Sequence, residues 1–296
     1  MYKQSAIHYM GNKLPLLSQI LPYFPRNIKT FYDIFGGSGT VSLNVKAEKY
    51  ILNDLNNHLY NLYDMFKNTS ADKIISYCET NRDKYGFSID VRDKPKIAEL
   101  NREPYYKYRE DMNNNPSTLG FYFLTFYSFC NQFRFNNGKF NMSVGNGYFK
   151  EESKGFIKDF CEFMSKENVY IYHKSYEEFT DFDKDCFCYF DIPYTNTNAC
   201  YNGETDLVDD WTEKSDYKFF EYCEKLNNRG IQFAISNVFK NKGKENTHIK
   251  EWCEKNNWIV HHLGIKYAGH SYESANMETD EVLICNYENK YMNCLF

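Results

Sequence analysis

The chain has 296 residues, with 35 Lys and Arg against 40 Asp and Glu, a formal net charge of -5. Charged residues make up 25% and hydrophobic ones 42%, as expected of a folded globular protein. An aromatic share of 19%, carried by 27 Tyr and 25 Phe, excludes general disorder; the charge excludes a polybasic tail or an overall basic nucleic-acid binder, but not a local basic cleft.

In chain order, the first element is a strand over 30–35, rich in aromatic and β-branched residues, which ends in a Gly-Gly-Ser-Gly turn. A helix is predicted over 40–48, then a strand over 49–54 that ends in an acid, then a helix over 56–67. After a break, strands follow over 169–173, 186–191, 231–237, 258–265 and 281–287, with helices over 215–227 and 247–256. Alternating strands and helices imply βαβ units and a mostly parallel sheet. The last two strands are joined by a loop without helical periodicity, so a closing hairpin with one antiparallel strand is expected. The break, 66–165, is rich in Tyr, Asn, Lys and Arg. Residues 82–150 carry 11 Lys and Arg against 7 Asp and Glu, a local charge of +4 that leaves about -9 for the rest. This stretch is read as an inserted, mainly helical domain with a turn-rich piece near 136–147.

No apolar run is long enough to span a membrane, which takes about 18 residues or more. The most apolar early stretch, 14–24, is broken by Pro15 and Pro22 and is not a signal-peptide core. The ten Cys contain no Cys-x-x-Cys pair. Without a secretion signal they are read as reduced, packed thiols of a cytoplasmic protein, and no metal site is expected.

The chemistry-bearing motifs sit at strand ends. Asp33-Ile34-Phe35-Gly36-Gly37-Ser38-Gly39 follows one strand and precedes a helix. Glycines there let the backbone approach a ligand, and the helix start favours its polar or anionic part. Asp54 ends the next strand, 15 residues after Gly39, where a carboxylate can accept both hydroxyls of a ribose. That spacing is shorter than the dinucleotide pattern of about 20 residues, so a nucleoside without a pyrophosphate fits as well or better. Asp191-Ile192-Pro193-Tyr194 ends the strand over 186–191. It puts a carboxylate, a backbone carbonyl and an aromatic ring at the carboxyl edge of the sheet, a trio suited to an exocyclic amine on a flat base.

In these motifs the sequence resembles the Dam-type N6-adenine-specific DNA methyltransferases, whose pattern is a Gly-rich Asp-x-Phe-x-Gly-x-Gly turn, an acid, and a distant Asp-Pro-Pro-Tyr. The resemblance extends to Tyr9-Met10-Gly11-Asn12-Lys13, similar to the family's amino-terminal cofactor motif. It also covers residues 131–141, similar to its target-recognition hairpin, and Ile235-Ser236-Asn237 with the closing Glu281-Val282-Leu283-Ile284. Ile192 departs from the family's Pro; its carbonyl remains, but proline's fixed φ is lost. The resemblance implies a Rossmann-like fold with a seven-stranded mixed sheet. The catalytic domain would be 1–65 and 166–296, flanking a DNA-recognition domain at 66–165, with no room left for a fused nuclease domain.

It further implies methyl transfer from S-adenosylmethionine (AdoMet) to N6 of an adenine flipped out of double-stranded DNA. Asp191, Ile192, Pro193 and Tyr194 are the implied catalytic residues, with Tyr194 stacking on the base. Tyr9, Lys13, Asp33, Phe35, Gly37, Ser38, Gly39, Asp54, Ser175, Tyr176 and Asp191 are the implied cofactor residues. Arg134, suited to a bidentate contact with guanine, and Asn131, Asn136 and Asn141 are the implied DNA readers. Lys94, Lys96, Arg102, Lys107 and Arg109 are candidate phosphate contacts, and 270–276 is expected near DNA. A monomer, acting alone or beside a separate cognate restriction endonuclease, is expected. Methylation of cytosine N4 or of RNA, and a DNA- or AdoMet-binding protein without turnover, stay open at this point.

Overall fold

The computed structural model describes residues 1–89, 96–132, 134–195, 211–264 and 279–288. In chain order it contains α1 (Leu17–Ile20), β1 (Ile28–Asp33), α2 (Thr40–Asn44), β2 (Ala47–Asn53), α3 (Asn57–Asn68) and α4 (Ala71–Tyr85). Then come α5 (Ile97–Leu100), α6 (Arg102–Asn114), α7 (Thr118–Thr125), β3 (Phe135–Asn136), β4 (Lys139–Phe140) and α8 (Glu151–Met164). The chain continues with β5 (Val169–Tyr172), β6 (Cys186–Asp191), α9 (Glu213–Asn228), β7 (Gln232–Asn241) and β8 (Lys244–Glu245). It closes with α10 (Thr247–Asn256), β9 (Ile259–Leu263) and β10 (Asp280–Cys285).

The central sheet has the order β5-β2-β1-β6-β7-β10-β9, with the short β8 paired to β7. The first four neighbouring pairs are parallel, and β10 runs antiparallel to both β7 and β9. This is the expected Rossmann-like mixed sheet and closing hairpin; β8, too short to signal itself in the sequence, is an addition. From β1 the chain builds outward to β2 and β5, whereas β6 and β7 build in the other direction. The carboxyl ends of β1 and β6 therefore flank the topological switch point, where such sheets leave a crevice.

Alternation along the strands divides the core. Phe31, Leu52, Phe187, Tyr189 and Leu283 face one side; Tyr32, Ile51, Cys188, Phe190 and Ile284 face the other. The second face is covered by Phe219, Phe220, Cys223 and Leu226 of α9 and by Ile249, Trp252 and Cys253 of α10. The first face is covered by α1, α3 and α8, and its core continues without a gap into Tyr105 and Tyr108 of α6 and Phe123 of α7. Residues 66–165 are thus mainly helical, and they share the core of the sheet.

The predicted helix over 40–48 ends early. Val45 is already extended, and Ala47 pairs with Ile28 in the parallel ladder. Ala and Glu are good helix formers, but pairing with β1 outweighs that local preference. Among the described residues no helix is long and apolar enough to cross a membrane.

Phe160 of α8 is fully buried, edge-on to Phe66 of α3 at 5.0 Å, and would sit 3.1 Å from a Cβ at Gly39. Phe160→Ala is expected to lower unfolding free energy by about 3–5 kcal/mol, because the cavity lies between three packed elements. Urea denaturation followed by circular dichroism checks this, and a loss below about 1 kcal/mol would show that the helices are not fixed through this ring.

Candidate active site

Three neighbouring strands each deliver an acid to the crevice. Asp33 ends β1, Asp54 follows β2, and Asp191 ends β6. All three line one cleft of about 1150 Å³, its open mouth included, together with Tyr9, Lys13 and the turn from Phe35 to Ser38. The register explains the placement: Asp33 pairs with Tyr189, so β6 runs two residues further and carries Asp191 beyond the end of β1.

The Gly-rich turn is held from several sides. Gly37 and Gly39 have φ of +53° and +70°, which L side chains rarely adopt. A Cβ at Gly36 would lie 2.5 Å from Leu52 Cδ1 and 2.9 Å from Tyr63 Oη, so only glycine fits beneath the turn. The Tyr63 hydroxyl donates to the Gly37 carbonyl at 2.6 Å, and the Gly37 N–H donates to Asp54 Oδ2 at 2.9 Å. Asp54 Oδ1 also accepts the Asn56 N–H at 2.8 Å. Asn53 stitches the strand ends together: its amide donates to the carbonyls of Ile34 and Lys174 at 2.9 and 3.0 Å.

Asp191 is paired rather than bare. The Lys13 ammonium lies 2.7 Å from Oδ2, and the Lys13 side chain is only 5% exposed. The Tyr194 hydroxyl donates to Oδ1 at 3.0 Å, and Lys13 Nζ stands 5.4 Å from the centre of the Tyr194 ring. Lys13 also donates to the Gly11 carbonyl at 2.9 Å, which closes the local turn, while its pair with Asp191 anchors the amino-terminal segment at the sheet edge. Ile192 is buried in the second core face, and Pro193 lines the cleft.

The other predicted residues fall into distinct places. Phe35 and Tyr176 form an aromatic wall with rings 5.7 Å apart, and Ser175 caps the turn that presents Tyr176. Ser38 lines the cleft, whereas Gly39 lies behind it as the residue that starts α2. Arg134, Asn136 and Asn141 come together on the β3–β4 hairpin, where Arg134 Nε donates to Asn141 Oδ1 at 2.8 Å. Asn131 stands in the preceding turn with φ of +55°, next to Cys130 at +54°. Arg109 does not stand as a free phosphate contact: it is half-buried and donates to the Met142 carbonyl at 2.9 Å. Lys94 and 270–276 lie outside the described residues. Sequence reasoning missed Asn53, Asn56, Tyr63 and Trp211. Asn53 and Asn56 flank the singled-out acid and carried a local signal; Tyr63 and Trp211 reach the site only through the fold.

The residues fit a nucleoside-type methyl donor. Asp54 uses one position on each oxygen for backbone N–H groups and keeps lone pairs for hydroxyls. Phe35, Tyr176 and Trp211 supply apolar ring surface, and the unsubstituted Gly37 leaves the turn open to close approach. The fold is that of the Rossmann-like methyltransferases. Over residues 9–263 the chain matches the family described as D12 class N6 adenine-specific DNA methyltransferase, and it belongs to that family. It is 35% identical to the modification methylase StsI of Streptococcus sanguinis, over 99% of this chain and 44% of that protein. It is 34% identical to the type II methyltransferase M.FokI of Planomicrobium okeanokoites, over 97% of this chain and 43% of that protein. The DNA adenine methylase of Escherichia coli K12 is 27% identical over 79% of this chain and 80% of its own length. The chain thus spans less than half the length of the first two relatives.

The acids carry a pH signature. Burial pushes the Asp33 carboxyl up to about 7, against the donating Ser42 hydroxyl at 2.6 Å, and the charges of Asp191 and Asp54 push the same way. Burial pushes Asp54 up to about 6, against its N–H bonds from Asn56 and Gly37. In the unfolded chain both titrate near about 4. Between about pH 4 and 7 the ligand-free native state therefore binds more protons than the unfolded state, and these groups remove stability as pH rises. Asp33→Asn should flatten this fall, so the variant gains on the wild type in melting temperature between about pH 5 and 8. A difference independent of pH would contradict the raised Asp33 carboxyl.

Proposed function

We propose that this protein transfers a methyl group from AdoMet to N6 of an adenine flipped out of double-stranded DNA. The observation that carries the reading is Asp191, which opens on the same cleft as the Gly-rich turn and Asp54, with one carboxylate oxygen on Lys13 and the other on Tyr194. When bound, AdoMet supplies an electrophilic methyl group on a sulfonium, an already activated leaving group. Asp54 accepts the ribose hydroxyls, and Phe35, Ser175, Tyr176 and Trp211 enclose the cofactor's adenine. Gly37, Ser38 and Gly39 shape the turn beneath it. Tyr9 and Lys13 face the methionyl end, and Lys13 links that end to Asp191.

The target N6 lone pair is delocalised into the base and is a weak nucleophile. The Asp191 carboxylate and the Ile192 carbonyl accept its two hydrogens and aim the lone pair at the methyl group. Pro193 shapes the loop, and Tyr194 stacks on the base. Rate enhancement then comes from orientation and from the Asp191 carboxylate, which stands where the accepting amine turns cationic. Asp191 need not act as a base before attack, because the amine becomes acidic only as the new bond forms.

Residues 66–165 serve in this proposal as the target-recognition region. Arg134, Asn136 and Asn141 on the hairpin, with Asn131 beside it, read or hold the DNA. Their support is their joint placement on one exposed hairpin. The chain works as a monomer in the cytoplasm, and the modification-methylase relatives favour a partnership with a separate restriction endonuclease.

Incubation with AdoMet and duplex DNA, followed by nucleoside mass spectrometry, should yield N6-methyladenine. N4-methylcytosine or a product found only in RNA would overturn the reading. Asp191→Ala should cut turnover by at least about 10³-fold while circular dichroism stays unchanged. Retained activity in that variant would place the chemistry elsewhere.

A further inference from the structure

Asp216 lies in the first turns of α9 and is 1% exposed. Its carboxylate accepts from three donors among the described residues: Trp211 Nε1–H to Oδ1 at 2.7 Å, Thr195 Oγ1–H to Oδ2 at 3.1 Å, and His248 Nε2–H to Oδ2 at 2.6 Å. The donors come from separate places. Thr195 directly follows Tyr194, the last residue of the Asp-Ile-Pro-Tyr motif. Trp211 lines the cleft and stands edge-on to Phe35 at 5.8 Å and tilted against Tyr176 at 6.1 Å. His248 belongs to the first turn of α10. Thr195 and Trp211 flank 196–210, which lie outside the described residues.

The three donors to this carboxylate all come from outside α9. Ser215 closes the start of α9 by accepting the Thr212 N–H at 3.1 Å. A buried carboxylate is costly unless donors satisfy it. Here two of the donors are the ends of segments that reach the reaction centre, and a single rigid acceptor sets both. We infer that Asp216 is a positioning residue for both halves of the methyl-transfer site. Through Thr195 it fixes the loop that aims Asp191, Ile192 and Tyr194; through Trp211 it fixes the wall of the donor pocket. His248 holds the carboxylate against α10. The inference rests on the proposed methyl transfer and adds to it a link between donor affinity and the chemical step.

The test uses the full chain, with AdoMet affinity from calorimetry and the methylation rate from single turnover on duplex DNA at saturating AdoMet. Losing one hydrogen bond to a charged group is expected to cost about tenfold in the property it supports. Thr195→Val should slow single turnover about tenfold and leave AdoMet affinity within about twofold. Trp211→Phe should weaken AdoMet about tenfold, and adding Asp216→Asn to it should weaken AdoMet by no more than about twofold further. Asp216→Asn should show both losses; if it does not fold, the two single-donor variants carry the test. Variants that match the wild type in both readouts, or that lose only melting temperature, overturn the inference. Failure of the methyl-transfer reading shows separately, as a wild type that neither binds AdoMet nor methylates DNA, and this inference falls with it.

Discussion

Three carboxylates on adjacent strand ends would repel one another, and the arrangement of the site answers that constraint. Asp33 is compensated by the Ser42 hydroxyl and by a carboxyl pushed toward protonation. Asp54 is compensated by backbone N–H groups of Gly37 and Asn56. Asp191 is compensated by a cation, the ammonium of Lys13. Each solution needs a different part of the chain: α2, the Gly-rich turn with the start of α3, and the amino-terminal segment. The acids thus recruit their surroundings. In the proposed reaction, the negative field that remains faces the cleft, where a cationic donor gains from it.

The aromatic excess has a structural use beside this. Buried tyrosines act as apolar filler with a polar end that reaches across elements. Tyr63 ties α3 to the Gly-rich turn, Tyr122 ties α7 to the Ala6 carbonyl, and Tyr105 ties α6 to the Met142 carbonyl. Of these bonds, that of Tyr122 joins residues 66–165 to the amino-terminal segment, while the shared core joins them to the sheet.

The strands of the sheet were readable because each is short, rich in β-branched and aromatic residues, and ended by turn chemistry. Thr247–Asn256 matches its periodicity, since nothing competes with it. The helix at Thr40 was overread because pairing of Ala47 with Ile28 is a tertiary event. Motif residues at strand ends were legible for a related reason: the fold class says where strand ends meet. Lys13 as a partner of Asp191, Trp211 as a wall and Asp216 as their support were not legible. Their contacts join residues more than 100 positions apart, or pass through a buried cluster that no local pattern encodes.

Ile192 shows how packing replaces a covalent constraint. Proline narrows the backbone by its ring, before any contact is made. Isoleucine has no such ring, but here its side chain is 1% exposed and belongs to the same core face as Phe190, Phe219 and Ile235. Moving its backbone by even an ångström would pull a branched side chain out of a close-packed site, and such sites yield little. The flanks are held as well, with Asp191 on Lys13 and Tyr194, and Thr195 on Asp216. Proline supplies rigidity in the unfolded and folded chain alike, whereas burial supplies it only once the core has formed. The carbonyl of Ile192 is therefore fixed by the fold, and the aim of the loop depends on the integrity of the second core face.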